Sequence, residues 1–106
     1  MARNYFPEVK GKIKYEGPDS KDPLTFKWYR AKRKVGGKTM EEHLKFAVCY
    51  WHTFKGTGGD PFGGGVYERP WDQADTPMGV AEDTVQAAFE FFKKLGVPYL
   101  CFHDRD

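Results

Sequence analysis

The stretch from Pro77 to Leu95 constrains the fold of this chain most. Ala81, Val85, Ala88, Phe89, Phe92 and Leu95 recur at helical spacing, which predicts an amphipathic helix over about 77–95. Asp75-Thr76-Pro77 marks its start, and Gly96 with Pro98 beyond it marks its stop. Glu82 and Asp83 near the start and Lys93 and Lys94 near the end complement the helix dipole, and Glu90 and Lys94 are an i,i+4 pair. A short apolar run flanks this helix on each side. Phe46-Ala47-Val48-Cys49-Tyr50-Trp51 reads as a strand buried on both faces, over about 46–51. A helix continuing from Thr39 is the competing reading, and the aromatics favour the strand. Val97 to Phe102 reads as a second strand, over about 97–102. Strand, loop, helix and strand make a βαβ unit, which implies a parallel sheet with helices packed outside it.

The fold class is therefore α/β. The chain has 106 residues, whereas a closed eight-stranded α/β barrel takes about 250. A second parallel strand with nothing after it leaves an edge unpaired and a helix face half covered. The expectation is an incomplete structure whose remainder comes from another stretch of polypeptide. Residues 1–37 lack periodicity, are punctuated by Gly11, Gly17-Pro18, Asp22-Pro23 and Gly36-Gly37, and read as an irregular N-terminal arm. Lys12-Ile13-Lys14-Tyr15 alternates and could be a short strand within it. Residues 38–106 form the βαβ body. Thr39 and Glu42 fit a capping box that starts a short helix, and residues 55–79 form a long Gly- and Pro-rich loop, a kind that is often functional.

Composition narrows the function classes. Aromatics at 17% argue against disorder. No apolar run approaches the roughly 20 residues of a membrane helix, and the first residues carry no secretory signal. Cys49 and Cys101 sit in apolar runs and read as reduced core residues of a cytoplasmic protein, with a disulfide as the less favoured reading. Charge is uneven: residues 1–40 carry a net +7 and residues 41–106 a net −5. A basic half can contact nucleic acid, so one reading is a standalone non-enzymatic module binding RNA or an acidic partner through Arg30 to Lys38 with Tyr29. A solvated or subunit-facing surface explains the same charges with fewer assumptions, and it is preferred.

Three constellations could carry chemistry. Phe102-His103-Asp104-Arg105-Asp106 sits past the C-terminal end of the second strand, where α/β enzymes place catalytic groups. A carboxylate beside an imidazole suits acid/base work on a hydroxyl or ring oxygen near neutral pH. By spacing alone an exposed, charged terminus is the favoured reading. Residues 56–65 lack the Lys-Ser or Lys-Thr of a phosphate loop. Their glycines instead present one bulky side chain, Phe62, either to a neighbouring subunit or back onto its own core. Trp51, at the end of the first strand, could form an apolar wall or simply pack in the core. His43 and His52 have no partner at metal-ligand spacing and read as structural or exposed, and no metal cage can be assembled from these residues.

The chain resembles the N-terminal region of xylose isomerase, in the longer-chain class of that family. The resemblance runs through Phe6-Pro7, Lys14-Tyr15-Glu16-Gly17, Asp19-Ser20-Lys21-Asp22-Pro23-Leu24, Phe46-Ala47 and Trp51-His52-Thr53. It continues through Phe62-Gly63-Gly64-Gly65, Pro70-Trp71, Lys94-Leu95-Gly96-Val97-Pro98-Tyr99 and Cys101-Phe102-His103-Asp104. It implies a TIM (β/α)8 barrel, of which this chain would supply the N-terminal arm and the first two βα units. It implies interconversion of D-xylose and D-xylulose, and of D-glucose and D-fructose, by a hydride shift assisted by two divalent cations (Mg, Mn or Co), in a homotetramer. His103 would assist ring opening, Asp106 would orient it, Trp51 would line the sugar pocket, and Phe62 would reach across a subunit interface. The family's metal ligands lie in later strands, so this chain would bind no metal and be inactive without a complementary polypeptide. Arg105 has no assigned role.

Overall fold

The computed structural model describes residues 3–104. Its regular elements are few. β1 (Lys34–Val35) and β2 (Lys38–Thr39) form a small antiparallel hairpin, followed by α1 (Met40–His43). β3 (Ala47–Cys49) pairs in parallel with β4 (Tyr99–Cys101), and α2 (Pro77–Leu95) connects them. This is a small α/β fold built on one βαβ unit.

The helix ends follow their sequence signals. The Thr39 hydroxyl accepts from the Glu42 N–H while the Glu42 carboxylate accepts from the Thr39 N–H, closing the capping box of α1. Thr76 caps α2 by accepting from the Gly79 N–H at 3.0 Å, with Pro77 at the first helical position. Gly96 ends α2 at φ 79°, a left-handed conformation that costs glycine little, and its N–H donates to the Phe92 carbonyl at 2.9 Å.

Other elements differ from the sequence reading. The first strand, expected over 46–51, is confined to Ala47–Cys49. Tyr50 already has helical dihedrals, and Trp51–Lys55 form a single turn of π-helix closed by the Gly56 N–H on the Trp51 carbonyl at 2.6 Å. Packing selects this turn because it drives Phe54 to complete burial among Tyr50, Trp71, Phe91 and Phe92, with ring centroids 5.5–5.7 Å away. Burying a phenylalanine side chain contributes roughly 1.5–3 kcal/mol. The second strand, expected over 97–102, is Tyr99–Cys101, and the long loop contains a short 3₁₀ turn at Pro70–Asp72. Neither strand is buried on both faces: Val48 alone of β3 is buried, and all of β4 is exposed.

The buried face of α2 is rotated from the expected one. Thr84, Ala87, Ala88 and Phe92 are buried with Phe91 and Leu95 beside them, whereas Val85 and Phe89 are about half exposed. The helix thus carries two apolar stripes. The first packs on Val48, Phe54 and Trp71, joined by Tyr5 and Phe6 of the arm. The second, Val85 and Phe89, borders an open hollow of about 290 Å³ with Tyr50, Leu100 and Phe102.

The arm is irregular but tied down. The Ile13 N–H donates to the Lys94 carbonyl at 2.7 Å, and Tyr15 bridges Phe26. His43 contacts the Val35 carbonyl through Nε2 at 2.7 Å, which joins α1 to the hairpin. Among the described residues, no helix is long and apolar enough to cross a membrane.

Candidate functional site

The ends of β3 and β4 bring two of the candidate residues, Trp51 and His103, to one edge of the sheet. The register pairs Ala47 with Tyr99, Val48 with Leu100 and Cys49 with Cys101. Trp51 and His103 each follow the last of these pairs by two residues, so both leave the C-terminal edge of neighbouring parallel strands. This is the edge at which α/β folds bind ligands. Trp51 is 45% exposed and lies edge-on to the His52 ring at 5.1 Å. It is therefore available as a wall rather than consumed by the core. His103 is exposed. Asp106 and Arg105 lie outside the described residues.

Phe62 lies in the Gly-rich loop that follows the π turn. It is 97% exposed, at the tip of a tight turn in which Asp60 and Gly63 exchange backbone hydrogen bonds. The Asp60 carboxylate also accepts from the Phe62 N–H at 2.8 Å. The Thr57 carbonyl accepts from both Val66 and Tyr67 and closes the neck of the loop. A Cβ at Gly65 would meet the Thr57 side chain at 2.4 Å, so glycine is needed where the two arms of the neck approach. The Phe62 side chain does not pack on the core of its own chain.

The base of the site is held by the aromatic core. The Trp71 indole N–H donates to the Phe54 carbonyl at 2.8 Å, and the Arg69 guanidinium donates to the Gly56 carbonyl at 2.9 Å. Both carbonyls belong to the end of the π turn, where helical partners run out. Arg69 and Trp71 thus hold the turn that carries Trp51.

One contact was not foreseen. The Cys49 thiol lies 3.0 Å from His52 Nδ1. A strand through 46–51 would place positions 49 and 52 on opposite faces. The π turn brings them together, and the Cys-x-x-His spacing would have signalled the pair had a helical turn been expected there. The hydrogen bond from His52 lowers the Cys49 thiol to about 7, while desolvation and then the neighbouring Cys49 push the Cys101 thiol up. Both cysteines are free, but Cys101 is exposed and Cys49 only half-buried, so neither is the core residue that the apolar runs suggested. Among the described residues, no group of three or more His, Cys, Asp or Glu side chains is placed to hold a metal ion.

Comparison with known proteins gives these positions a context. No protein-family model matches the chain. It is 60% identical over 102 residues to a xylose isomerase of Geobacillus thermodenitrificans, covering 96% of the chain and 22% of that enzyme. It is 59% identical over 105 residues to xylose isomerase 1 of Xanthomonas axonopodis pv. citri, covering 99% of the chain and 24% of that enzyme. A xylose isomerase of Caldanaerobacter subterraneus is 56% identical over 102 residues, covering 96% of the chain and 23% of its own length. The chain spans less than a quarter of the length of these relatives. Along almost all of its own length, then, the chain is similar to the N-terminal part of xylose isomerases, and the resemblance read from its motifs stands.

Proposed function

We propose that this chain is the N-terminal portion of a xylose isomerase, interconverting D-xylose with D-xylulose and D-glucose with D-fructose once a complementary polypeptide completes it. The observation that carries this reading is the 56–60% identity to xylose isomerases along 96–99% of the chain. β3, α2 and β4 would be the opening elements of a TIM barrel, preceded by the arm of residues 1–37. The exposed β4 and the open Val85–Phe89 stripe are the surfaces that further strands and helices of such a barrel would cover.

In this reading His103 exchanges a proton at the ring oxygen of the closed sugar, which helps the ring to open. Asp106 holds the imidazole in the tautomer this requires. Trp51 forms an apolar wall of the sugar pocket. Phe62 enters the site of a neighbouring subunit, in keeping with its 97% exposure on a braced turn, and the complete enzyme is a homotetramer. The two divalent cations (Mg, Mn or Co) of the reaction do not fit the donor sets of residues 3–104, and their ligands belong to the rest of the barrel. Free cysteines fit a reducing compartment, and the reading places the protein in the cytoplasm.

The alternative, a module binding RNA or an acidic partner through the basic arm, has less support. Arg30 already stacks over Tyr15 at 5.5 Å, and Lys32 pairs with Glu41. Reconstitution discriminates. The chain combined with the remaining barrel and Mg²⁺ should convert D-xylose to D-xylulose, and an associated, folded complex without turnover would overturn the assignment.

A further inference from the structure

We propose that Cys49 and Cys101 are an oxidisable pair, in which Cys49, held by His52, reacts first and Cys101 closes a disulfide across β3 and β4. The inference stands on the geometry of this chain and is independent of the isomerase reading.

Cys49 and Cys101 are register partners on adjacent parallel strands. Partners of this kind project to the same face, with strands about 4.8 Å apart. That separation lies within the Cα distances of about 4.4–6.8 Å that a disulfide spans. Val48 is buried in the core with α2, and its partner Leu100 borders the hollow beside Phe89, so the cysteines occupy the opposite face of the ladder. The Cys101 sulfur already leans across the ladder, 3.8 Å from the Val48 carbonyl.

The two thiols are chemically unequal. His52 Nδ1, 3.0 Å from the Cys49 sulfur, stabilises the thiolate there, and the Cys49 thiol is lowered to about 7. The Cys101 thiol is raised, so it keeps its proton while Cys49 ionises. Among the described residues, His52 and, across the ladder, Cys101 act on the titration of Cys49. An ionised, accessible cysteine beside a protonated partner is the arrangement of a peroxide-sensing pair.

With a hydroperoxide as oxidant, the Cys49 thiolate attacks one peroxide oxygen. The O–O bond breaks, and the departing oxygen takes a proton and leaves as water (or an alcohol). Cys49 is then a sulfenic acid. The Cys101 sulfur attacks the Cys49 sulfur and gives up its proton, the S–O bond breaks, and the hydroxyl leaves as a second water. Two thiols are oxidised and one peroxide is reduced. The new bond staples the strand ends two residues before Trp51 and His103.

Peptide mapping of the full-length protein tests this. After reduction, brief treatment with equimolar hydrogen peroxide, alkylation and trypsin digestion, the peptides Phe46–Lys55 and Leu95–Arg105 should be recovered joined, and separated again by dithiothreitol. In Cys101→Ser, dimedone should trap a sulfenic acid on Cys49. In His52→Asn, alkylation of Cys49 at pH 7 should slow roughly tenfold, as the thiol returns toward its ordinary value. Recovery of the wild-type peptides unjoined, or of Cys49 linked to Cys49 of a second chain, overturns the proposal even if either variant fails to fold.

Discussion

Glu90 and Lys94, one turn apart on α2, form an ion pair at 3.0 Å that clasps the backbone of the N-terminal arm. The Glu90 carboxylate accepts from the N–H groups of Tyr5 and Phe6, each at 2.9 Å. Lys94 Nζ donates to the Phe6 carbonyl at 2.5 Å and to Asn4 Oδ1 at 3.1 Å. This clasp seats Phe6 and Tyr5 against Trp71, at ring distances of 6.0 and 5.9 Å. Charged groups of the helix thus satisfy the backbone of the arm at Tyr5 and Phe6.

Acidification should release the arm. Burial alone would raise the Glu90 carboxyl, but the two backbone N–H groups and Lys94 outweigh it and hold it below its ordinary value of 4.5. A carboxyl depressed in the folded state contributes stability above that ordinary value, and the contribution is lost as pH falls through the lower, folded one. Unfolding followed against pH should show this fall. Glu90→Gln should flatten it and weaken the fold by about 1–3 kcal/mol at neutral pH. An unchanged pH slope in the variant would count against the clasp.

Trp71→Phe should be costly for its size. It keeps most of the ring but leaves the buried Phe54 carbonyl without the indole donor seen at 2.8 Å. A lost partner of this kind costs about 1–3 kcal/mol. Urea titration reads the loss directly, and a change below a few tenths would mean that the carbonyl finds another donor.

Phe62→Ala separates the fold from the assembly. At 97% exposure the ring contributes little to the stability of its own subunit, so the thermal midpoint of a dissociated subunit should not move. The proposed enzyme should instead show a weaker oligomer in sedimentation and a raised KM. Unchanged association and kinetics would exclude a role between subunits.

His103→Gln in the complete enzyme should slow turnover of ring-closed sugar more than turnover of sugar supplied in the open form. Equal losses on both would remove His103 from ring opening.

The sequence was most legible where local signals decide structure. Thr39 with Glu42, Thr76-Pro77 and Gly96 each set a helix end by their own hydrogen bonds. It was least legible where tertiary packing decides. The aromatic run through Trp51 suits a strand, yet burial of Phe54 against Trp71 turns it into a π-helix. That turn also hid the Cys49–His52 contact. α2 carries two apolar stripes, so periodicity alone could not say that Thr84, Ala87 and Phe91 face inward while Val85 and Phe89 stay open. Trp51 and His103 both follow strand ends, a placement that depends only on the parallel pairing.

The most direct test of the central claim is the native mass and subunit composition of the purified particle that carries this sequence and isomerises D-xylose. That particle should contain this sequence together with the remainder of a barrel, on the same or a second polypeptide, assembled as a tetramer. An active particle made only of the 106-residue chain would contradict it.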